Sequence, residues 1–450
     1  MVVVTVAYLV VGALFAIRTP DWQTPDEPAH VNYIRQIAEE GRLPVIETGD
    51  WDQPYLEALK SARFSPELLG DLEAIEYEDH QPPLYYLLGA PVYALTDGSL
   101  TALRLYSVLL GLLIVWCAAG VGWLMFPARP WIGIGTAAFV AFQPQHVHIL
   151  ASVNNDALGW AVVAVGLLLT VAYLKEARVL GVVVRPWMLG LVLGVGFITK
   201  STTYFMAGVM ALAIFLHWWS SSPREVKVLL RRGAAFLLPA LIFGLLWWGR
   251  NLSVYGFPDF LGLAAHDVVV ADQARTADEI ERLGFGGYLR ALAQTTFNSF
   301  WAQFGWMGVP LQSVWYTGIA ALLVFALSGL AVDAVVLRRE GAAHAQPEQT
   351  TPQQRHVWMI LSLTALLAVL AFLYYNTEFL QFQGRYMFPL LIPLGIWLAL
   401  GVDAWWRVLI MRLPTPEGTW LRWGSGGLFL TVALVDIWLL WRVVVPNLQP

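Results

Sequence analysis

Just after its first apolar segment, the chain reads Thr24-Pro25-Asp26-Glu27-Pro28-Ala29-His30. Thr24 is a favourable N-cap residue, and Glu27 three residues later completes a capping box. The proline that follows Thr24 suits the first helical position. We therefore expect a helix that begins at this stretch and runs to about Glu40.

Two acids and a histidine share one side of this predicted helix. Asp26 and Glu27 lie in its first turn, and His30 follows Asp26 by four residues. A structural interpretation is also open, in which Glu27 only caps the helix and Asp26 only interacts with the helix dipole. The rest of the sequence is needed to distinguish a functional site at Asp26 and Glu27 from a helix cap.

The composition is that of a membrane protein. Of 450 residues, 58% are hydrophobic and 13% are charged, compared with roughly 25% charged residues in soluble domains. The single cysteine, Cys117, lies in an apolar run, so the sequence contains neither a disulfide framework nor a cysteine metal site. The net charge of −5 provides no basic surface, so we expect no nucleic-acid partner.

Apolar runs predict an all-α polytopic protein with about eleven transmembrane helices. The first run, Val2 to Ile17, has no basic n-region and no cleavage pattern, which favours a retained helix. The run from Leu84 to Leu95 is too short to span and favours a re-entrant or interfacial helix. Lys200 separates two short runs, as in a broken helix pair. The remaining ten predicted spans are 105–126, 131–151, 157–174, 187–199, 201–217, 233–249, 313–337, 357–375, 387–405 and 425–443.

Two long polar segments interrupt the spans, within what we expect to be a single domain covering 1–450. Residues 18–104 and 251–312 are predicted to be extracytoplasmic loops that carry juxtamembrane helices. The second loop contains another capping box at Thr276-Ala277-Asp278-Glu279. It ends in the aromatic run Phe300–Trp306, which suits lipid headgroups.

Basic residues concentrate in every second short loop, which marks the cytoplasmic side. In the opposite short connections, the only basic residues are Lys200 and Arg385. Helix 1 then enters the membrane from the cytoplasmic side. The charge bias also agrees with the interpretation that residues 84–95 do not cross the membrane. The basic residues on the predicted cytoplasmic side are Arg129, Lys175, Arg178, Arg185, Arg224, Lys227, Arg231, Arg232, Arg338, Arg339, Arg355, Arg407, Arg412 and Arg422.

In this orientation, polar residues at the ends of several helices lie on the outer face of the membrane. Ionisable groups at membrane depth are functional candidates by default. The candidates come from separate stretches of sequence, and they are Asp26, Glu27, His30, Glu78, Asp79, His80, Asn154, Asn155, Asp156, Lys200, Arg250, Arg385 and Tyr386.

Three of these stretches resemble the GT-C superfamily of lipid-dependent glycosyltransferases. They are the acid pair at Asp26, the element His80-Gln81-Pro82-Pro83-Leu84-Tyr85-Tyr86, and the acid Asp156 after the third helix. The protein O-mannosyltransferase and aminoarabinose-transferase-like branch is the most similar part of that superfamily. Phe300–Trp306 and Gln383–Tyr386 also resemble a bacterial family of uncharacterised membrane proteins thought to share the fold.

The resemblance implies a sugar donor linked to a polyprenyl phosphate and an inverting transfer at the outer membrane face. It implies catalytic roles for Asp26 and Asp156, with Glu27 as the neighbouring alternative to Asp26. It places His80 near the donor phosphate, where relatives frequently have a lysine. No large soluble domain is expected after the last helix, unlike in oligosaccharyltransferase catalytic subunits.

The chemistry of the residues agrees with this function. Arg250, Arg385 and Lys200 are suited to stabilise a phosphate leaving group, as is a protonated His80. Asp26 can act as a general base, although a helix N-terminus lowers the pKa of a carboxylate and desolvation raises it. The predicted substrate-binding set is His30, Glu78, Asp79, His80, Tyr85, Lys200, Arg250, Arg385 and Tyr386.

A metal is left open, and no metal site is assigned. Glu78, Asp79 and His80 could join Asp26 and Asp156 around a hard divalent cation, but no dense ligand motif is present. His146 and His148 do not share a helical face and are expected to be interfacial.

Other interpretations remain for the cations and for the whole chain. Arg250 and Arg385 could anchor helix ends at headgroups, and Asp156 could cap the following helix. A lipid or glycolipid transporter and a non-catalytic subunit are the rival functions. The mostly apolar helix centres and large outer loops favour an enzyme at one membrane face. The acceptor, whether protein, lipid or glycan, is not specified by the sequence.

Overall fold

The computed structural model describes residues 1–334, 351–411 and 423–450, which are mainly α-helical. The described α-helices are α1 (Val2–Arg18), α2 (Glu27–Glu40), α3 (Gln53–Ser61), α4 (Leu84–Leu95), α5 (Leu100–Met125), α6 (Pro130–Ala141), α7 (Pro144–Leu150), α8 (Asp156–Leu174), α9 (Pro186–Phe197), α10 (Met206–Trp219), α11 (Val226–Tyr255), α12 (Leu263–Val269), α13 (Thr276–Trp301), α14 (Ser313–Val332), α15 (Pro352–Tyr375), α16 (Leu391–Met411), α17 (Gly424–Leu428), α18 (Val432–Leu439) and α19 (Val445–Leu448).

Short strands and tighter helical turns complete the described part. Two antiparallel hairpins pair β1 (Arg178–Val179) with β2 (Val182–Val183), and β3 (Gln303–Phe304) with β4 (Val309–Pro310). The 3₁₀ segments are Pro66–Ala74, Ser201–Thr203, Gly384–Leu390 and Phe429–Thr431, and a π-helical turn covers Leu440–Val444. The predicted all-α polytopic class is confirmed.

Within the described residues, eight segments are long and apolar enough to cross a membrane. They are Leu100–Met125, Asp156–Leu174, Ser201–Trp219, Val226–Tyr255, Ser313–Val332, Pro352–Tyr375, Gly384–Leu409 and Gly426–Leu448. The other apolar helices, α1, α4, α6 and α9, have between 12 and 17 residues. The predicted number of eleven spans is therefore not confirmed, although the short length of α4 agrees with the interfacial interpretation.

The predicted span 131–151 is broken in the structure. Helix α6 ends at Ala141, and α7 begins at Pro144. Proline disfavours helical geometry at the residue before it, and Gln143 has an extended conformation there. Its side chain accepts a hydrogen bond from the backbone N–H of His146 and caps the new helix. The pair around Lys200 is also broken, as predicted, between α9 and α10.

Close helix packing forms the described membrane core. Helix α5 packs against α6 and α8, α9 packs against α11, and α14 packs against α16. The last pair crosses at backbone contact, because a Cβ placed on Gly401 would lie 1.8 Å from the carbonyl oxygen of Ala326. Only glycine allows this approach, which fixes how closely α14 and α16 pack together.

Both predicted capping boxes are wrong. Helix α2 begins at Glu27 rather than next to Thr24, and Asp26 takes the N-cap position with φ 68° and no capping hydrogen bond. Helix α13 begins at Thr276 itself, after the N-cap residue Arg275. The hydroxyl of Thr276 donates to the backbone carbonyl of Asn376 instead. The Thr24 hydroxyl has no hydrogen-bond partner within the described residues, so only Thr276 exchanges the local capping bond for a tertiary contact.

The predicted interfacial aromatic and histidine residues are buried instead. Phe304 is fully buried and packs edge-on against His148, and His146 packs against Trp160. The aromatic run Phe300–Trp306 therefore belongs largely to the core. Four of the basic residues used to predict orientation, Arg338, Arg339, Arg412 and Arg422, lie outside the described residues. The loop boundaries 18–104 and 251–312 stay predictions.

Candidate active site

A cavity of about 580 Å³ lies where the two predicted outer loops meet the helix bundle. We name it the charged cavity. Helices α2, α3, α12 and α15 contribute to its wall, as do the 3₁₀ turns at Ser201–Thr203 and Gly384–Leu390. Seven of the predicted site residues line it, and they are Asp26, His30, Glu78, His80, Lys200, Arg385 and Tyr386.

The left-handed backbone of Asp26 directs its carboxylate away from the helix. Aspartate tolerates this conformation better than most residues. The hydroxyl of Tyr77 donates to Oδ1 at 2.9 Å, and Nη2 of Arg385 donates to Oδ2. These two partners come from distant parts of the chain. They fix both carboxylate oxygens at the cavity wall.

The charge of Asp26 is kept by these partners. Burial alone would raise the pKa of this carboxyl, but the positive charge and hydrogen bond of Arg385 outweigh burial and lower the pKa. The hydrogen bond from Tyr77 acts in the same direction. Asp26 is therefore a carboxylate at neutral pH, which makes it a weak base and a good acceptor for a hydroxyl or a cation.

The guanidinium of Arg385 is buried but incompletely satisfied. Its Nε and Nη1 have no hydrogen-bond partner within the described part of the chain. Nη1 lies 3.8 Å from Oδ2 of Asp156, which is an ion-pair distance without a hydrogen bond. Unmade hydrogen bonds of a buried charged group are costly. Arg385 is thus prepared to receive an anionic ligand with several oxygens.

A hydrogen-bonded chain connects the second acid to the histidine of α2. Lys200 Nζ donates to Asp156 Oδ1 and to Asn155 Oδ1, both at 2.6 Å. Asn155 Nδ2 then donates to the hydroxyl of Tyr86 at 3.1 Å. The same hydroxyl forms a hydrogen bond with Nδ1 of His30, 2.9 Å away. Asp156 is therefore an ion-pair partner, and the cap of α8 is Asn155.

His30 and His80 are both neutral in this environment. Burial lowers the pKa of His30 to about 3, against the opposing effect of Asp26. Burial also holds the pKa of His80 well below its ordinary value, and the neighbouring His266, whose ring centre is 4.4 Å away, lowers it further. A neutral His80 supplies hydrogen bonds to a ligand but no positive charge, so Arg385 and Lys200 carry the charge.

Asp26, His30 and Glu78 form the metal-compatible group among the described residues. Their ligand atoms lie within 4.8 Å of one another. Oε2 of Glu78 is buried without a hydrogen-bond partner, and burial followed by the charge of Asp26 raises its pKa to about 7. Both oxygens of Asp26 already accept a hydrogen bond, one from Tyr77 and one from Arg385. The wider predicted set is not assembled, because Asp79 turns away from the cavity.

Glu27, the alternative catalytic acid, lies outside the charged cavity. Its carboxylate is fully buried and forms a bidentate pair with Arg104, at 2.8 Å from Nε and 2.6 Å from Nη2. Arg104 also donates to the carbonyl oxygens of Ala16, Thr19 and Pro20. Glu27 accepts in addition from the backbone N–H of Val153. We name this group the Arg104 clamp, and it ties α1, α2 and α5 together.

Three predicted substrate-binding residues also lie outside the cavity. Asp79 accepts from Gln36, and the hydroxyl of Tyr85 contacts Ser107 and accepts from the backbone of Asn154. Arg250 donates to the carbonyl of Pro44 and stacks on two aromatic rings, those of Trp247 and Tyr255. Arg250 thus ties the first loop to α11 through protein contacts, and its anchoring at lipid headgroups stays a prediction.

Sequence reasoning missed two residues that contact the site and one that holds Glu27 outside it. Tyr77 donates to Asp26, Tyr86 connects His30 to Asn155, and Arg104 pairs with Glu27. A signal was present for Arg104, because it is a single charge near the start of an otherwise apolar helix. No local signal distinguished Tyr86 from Tyr85, since the two follow each other in one helix and face different neighbours.

Residues 80–248 match the family model described as dolichyl-phosphate-mannose-protein mannosyltransferase. The match begins at His80, includes Asp156 and Lys200, and ends in α11. The predicted relationship to the GT-C glycosyltransferases is confirmed. No curated protein matches the chain significantly.

The fold agrees with that of a GT-C enzyme. The chain is similar to the crystal structure of ArnT from Cupriavidus metallidurans bound to undecaprenyl phosphate, with a TM-score of 0.50 and 15% sequence identity over 99% of this chain and 73% of that chain. The apo structure of the same protein aligns over the same shares at 15% identity, with a TM-score of 0.47. The GT-C fold predicted from the sequence is confirmed by the first of these similarities.

Proposed function

We propose that this GT-C protein transfers a sugar from a polyprenyl-phosphate donor to an acceptor hydroxyl in the charged cavity. The observation that carries the proposal is the buried guanidinium of Arg385, whose Nε and Nη1 lack hydrogen-bond partners within the described residues. Lys200 and Asp26 line the same cavity. A phosphate supplies the missing acceptors, and the family match makes a lipid-linked donor the matching substrate class.

A lipid-linked donor also suits the apolar side of the cavity. Phe205 belongs to a segment long enough to cross a membrane, and Ala368, Ala371 and Phe372 belong to α15, another such segment. A prenyl chain can lie against these side chains, while its phosphate reaches Arg385. The similar ArnT structure was solved with undecaprenyl phosphate, which makes this lipid the natural probe.

The reaction exchanges one C–O bond for another. The acceptor hydroxyl oxygen forms a bond to the anomeric carbon, and the bond from that carbon to the phosphate oxygen breaks. The electron pair leaves with the polyprenyl phosphate, whose charge Arg385 and Lys200 stabilise. Asp26 accepts a hydrogen bond from the attacking hydroxyl and takes its proton as a lone pair of that oxygen forms the new bond to the anomeric carbon. A single displacement of this kind inverts the anomeric carbon.

The active site is proposed to face the extracytoplasmic side. The bias of basic residues toward alternate short loops supports this orientation. Thr48→Cys and Leu180→Cys, each in a Cys117→Ala background, place a thiol at two exposed positions. An impermeant reagent applied to intact cells should label the first and not the second. Equal labelling of both would reject the orientation.

Release of polyprenyl phosphate tests the function itself. Purified protein in lipid nanodiscs is mixed with a panel of polyprenyl-phosphate sugars and a cell-envelope extract that supplies acceptors. We expect release of polyprenyl phosphate that depends on the extract. Movement of the intact donor across the bilayer without release would identify a transporter. The absence of both release and movement would identify a non-catalytic subunit.

A further inference from the structure

A second cavity of about 520 Å³ lies beside the charged cavity. We name it the side cavity. Gln23, Ser61, Arg63 and Asn447 line the side cavity only, whereas Lys60 and Trp306 line both cavities. The side chains of Lys60 and Trp306 therefore form a wall shared by the two cavities. The polar groups that line only the side cavity have no role in the charged cavity.

The shared wall is held in position from both sides. The indole N–H of Trp306 donates to the carbonyl oxygen of Trp22 at 2.9 Å, and its ring stacks on Phe64. The ammonium of Lys60 lies 5.6 Å from the centre of the Trp306 ring and pairs with Glu57. A cation–π contact of this kind is stabilising, but a ligand can replace the ammonium over the ring.

The segment that carries Asp26 also runs between the cavities. Gln23 lines the side cavity and Asp26, three residues later, lines the charged cavity. Gln23 is fixed by a 2.6 Å hydrogen bond from Nε2 to the carbonyl oxygen of Arg63. A ligand seated in the side cavity is thus separated from Asp26 by the width of one loop and the shared wall.

The cations of the side cavity already have partners. Lys60 pairs with Glu57, and Arg63 Nη1 donates to the carbonyl oxygen of Gln449 at 3.0 Å. In the charged cavity, by contrast, two nitrogens of Arg385, Nε and Nη1, have no hydrogen-bond partner within the described residues. Among the described residues that line the side cavity, no buried nitrogen lacks a partner, so their amide and hydroxyl groups suit a neutral ligand with many hydroxyl groups better than a phosphate.

We propose that the side cavity binds the acceptor of the reaction as a neutral saccharide. The inference rests on the proposed function, because it supplies the second substrate of that transfer. The saccharide hydroxyl reaches Asp26 past Lys60 and Trp306, and its oxygen replaces the phosphate oxygen at the anomeric carbon. The proton goes to Asp26, and polyprenyl phosphate leaves through the charged cavity.

Blocking the side cavity with a covalent label tests this inference. Ser61 is exposed and lines only the side cavity, and Glu67 is exposed on the adjacent 3₁₀ segment and lines neither cavity. Ser61→Cys and Glu67→Cys are made in the Cys117→Ala background and reacted with a bulky maleimide. Each labelled protein is assayed for extract-dependent release of polyprenyl phosphate and for affinity toward undecaprenyl phosphate.

We expect labelled Ser61→Cys to lose release by about tenfold or more while its undecaprenyl phosphate Kd stays within about twofold of the unlabelled protein. Labelled Glu67→Cys should retain both. Unchanged release by labelled Ser61→Cys would overturn the inference, and so would an equal loss of undecaprenyl phosphate affinity. Recovery of the transferred sugar on protein would also overturn it.

Failure of the proposed function looks different, because the unlabelled protein would then release no polyprenyl phosphate. In that event, binding of neutral oligosaccharides from the extract still decides the matter. Unlabelled Ser61→Cys should bind them and the labelled form should not. Equal binding by both forms, or no binding by either, would contradict the inference.

Discussion

Asp26 and Glu27 are neighbours in the chain, but they belong to two different regions of the molecule. Asp26 faces the charged cavity, where it pairs with an arginine that has unused N–H groups. Glu27 faces the Arg104 clamp, where both of its oxygens accept hydrogen bonds. The clamp is complete without a ligand, whereas the cavity is not.

This difference shows how to distinguish a site from a structural ion pair. Both regions are buried and both contain an acid and an arginine. What separates them is unsatisfied hydrogen-bonding capacity, which a substrate can fill. The expected effects of mutation follow from this separation.

The largest expected effect is on turnover. Asp26→Asn keeps the size of the side chain but removes the charge that receives the acceptor proton. We expect turnover to fall by about two to four powers of ten, the usual contribution of a positioned acid or base. Asp21→Asn is the matched control, because this exposed residue precedes the same segment and does not line the cavity. Full activity of Asp26→Asn would remove Asp26 from the mechanism.

The second effect is on stability and concerns the clamp. Glu27→Gln leaves the buried charge of Arg104 without its bidentate partner. Breaking one side of a buried pair costs about 3–5 kcal/mol, so the free energy of unfolding should fall sharply. Turnover per folded molecule should change little. Thermal unfolding and turnover measured on the same preparation check both statements. A stable but inactive Glu27→Gln protein would assign catalysis to the clamp.

These two regions also show what the sequence can and cannot predict. The position of Asp26, Asp156 and Arg385 at helix ends on one face was sufficient to group them, because topology alone brings such ends together. The partner of Glu27 was not predictable, since Arg104 lies 77 residues away. The local pattern favoured a capping box, and a long-range ion pair replaced it.

One of the two helix breaks was predicted from the sequence. Lys200 places a charge between two apolar runs, and the break there was predicted. The break before Pro144 was missed although Gln143 and Gln145 flank the proline, because a single proline is also compatible with a kinked span. The left-handed backbone of Asp26 had no sequence signal, because the contacts with Tyr77 and Arg385 that accompany it come from distant segments.

A third, smaller effect concerns donor affinity and compares Arg385 with Arg250, for which the sequence predicted the same role. Arg385→Lys replaces a planar fork with a point charge. We expect the Kd for undecaprenyl phosphate to rise by about tenfold, the equivalent of one charged hydrogen bond of ~1.5 kcal/mol. Arg250→Lys is the control, since Arg250 binds Pro44 outside the cavity. Equal Kd values for Arg385→Lys and the parent would reassign Arg385 to anchoring.

A further expected effect is the pH dependence of stability at Asp79. Burial raises the pKa of this carboxyl to about 8, so the folded protein favours the neutral acid. Its contribution to stability is complete below the ordinary aspartate pKa and is lost as the pH rises through about 8.

Asp79→Asn stays neutral at every pH and still accepts from Gln36. Its melting temperature should come closest to that of the parent below the ordinary aspartate pKa and exceed it increasingly up to pH 9. The exposed Asp278→Asn is the control and should follow the parent throughout. A melting temperature of Asp79→Asn below that of the parent at pH 9 would show that the carboxylate is needed in the folded state.

An experimental structure with undecaprenyl phosphate tests the central claim most directly. We expect the phosphate in the charged cavity, with its oxygens at ~2.7–2.9 Å from Nε or Nη1 of Arg385, as in charge-assisted hydrogen bonds. The prenyl chain should then lie along α15. A phosphate bound in the side cavity, or at Arg250 with the Arg385 nitrogens still without partners, would contradict the assignment of the charged cavity as the donor site.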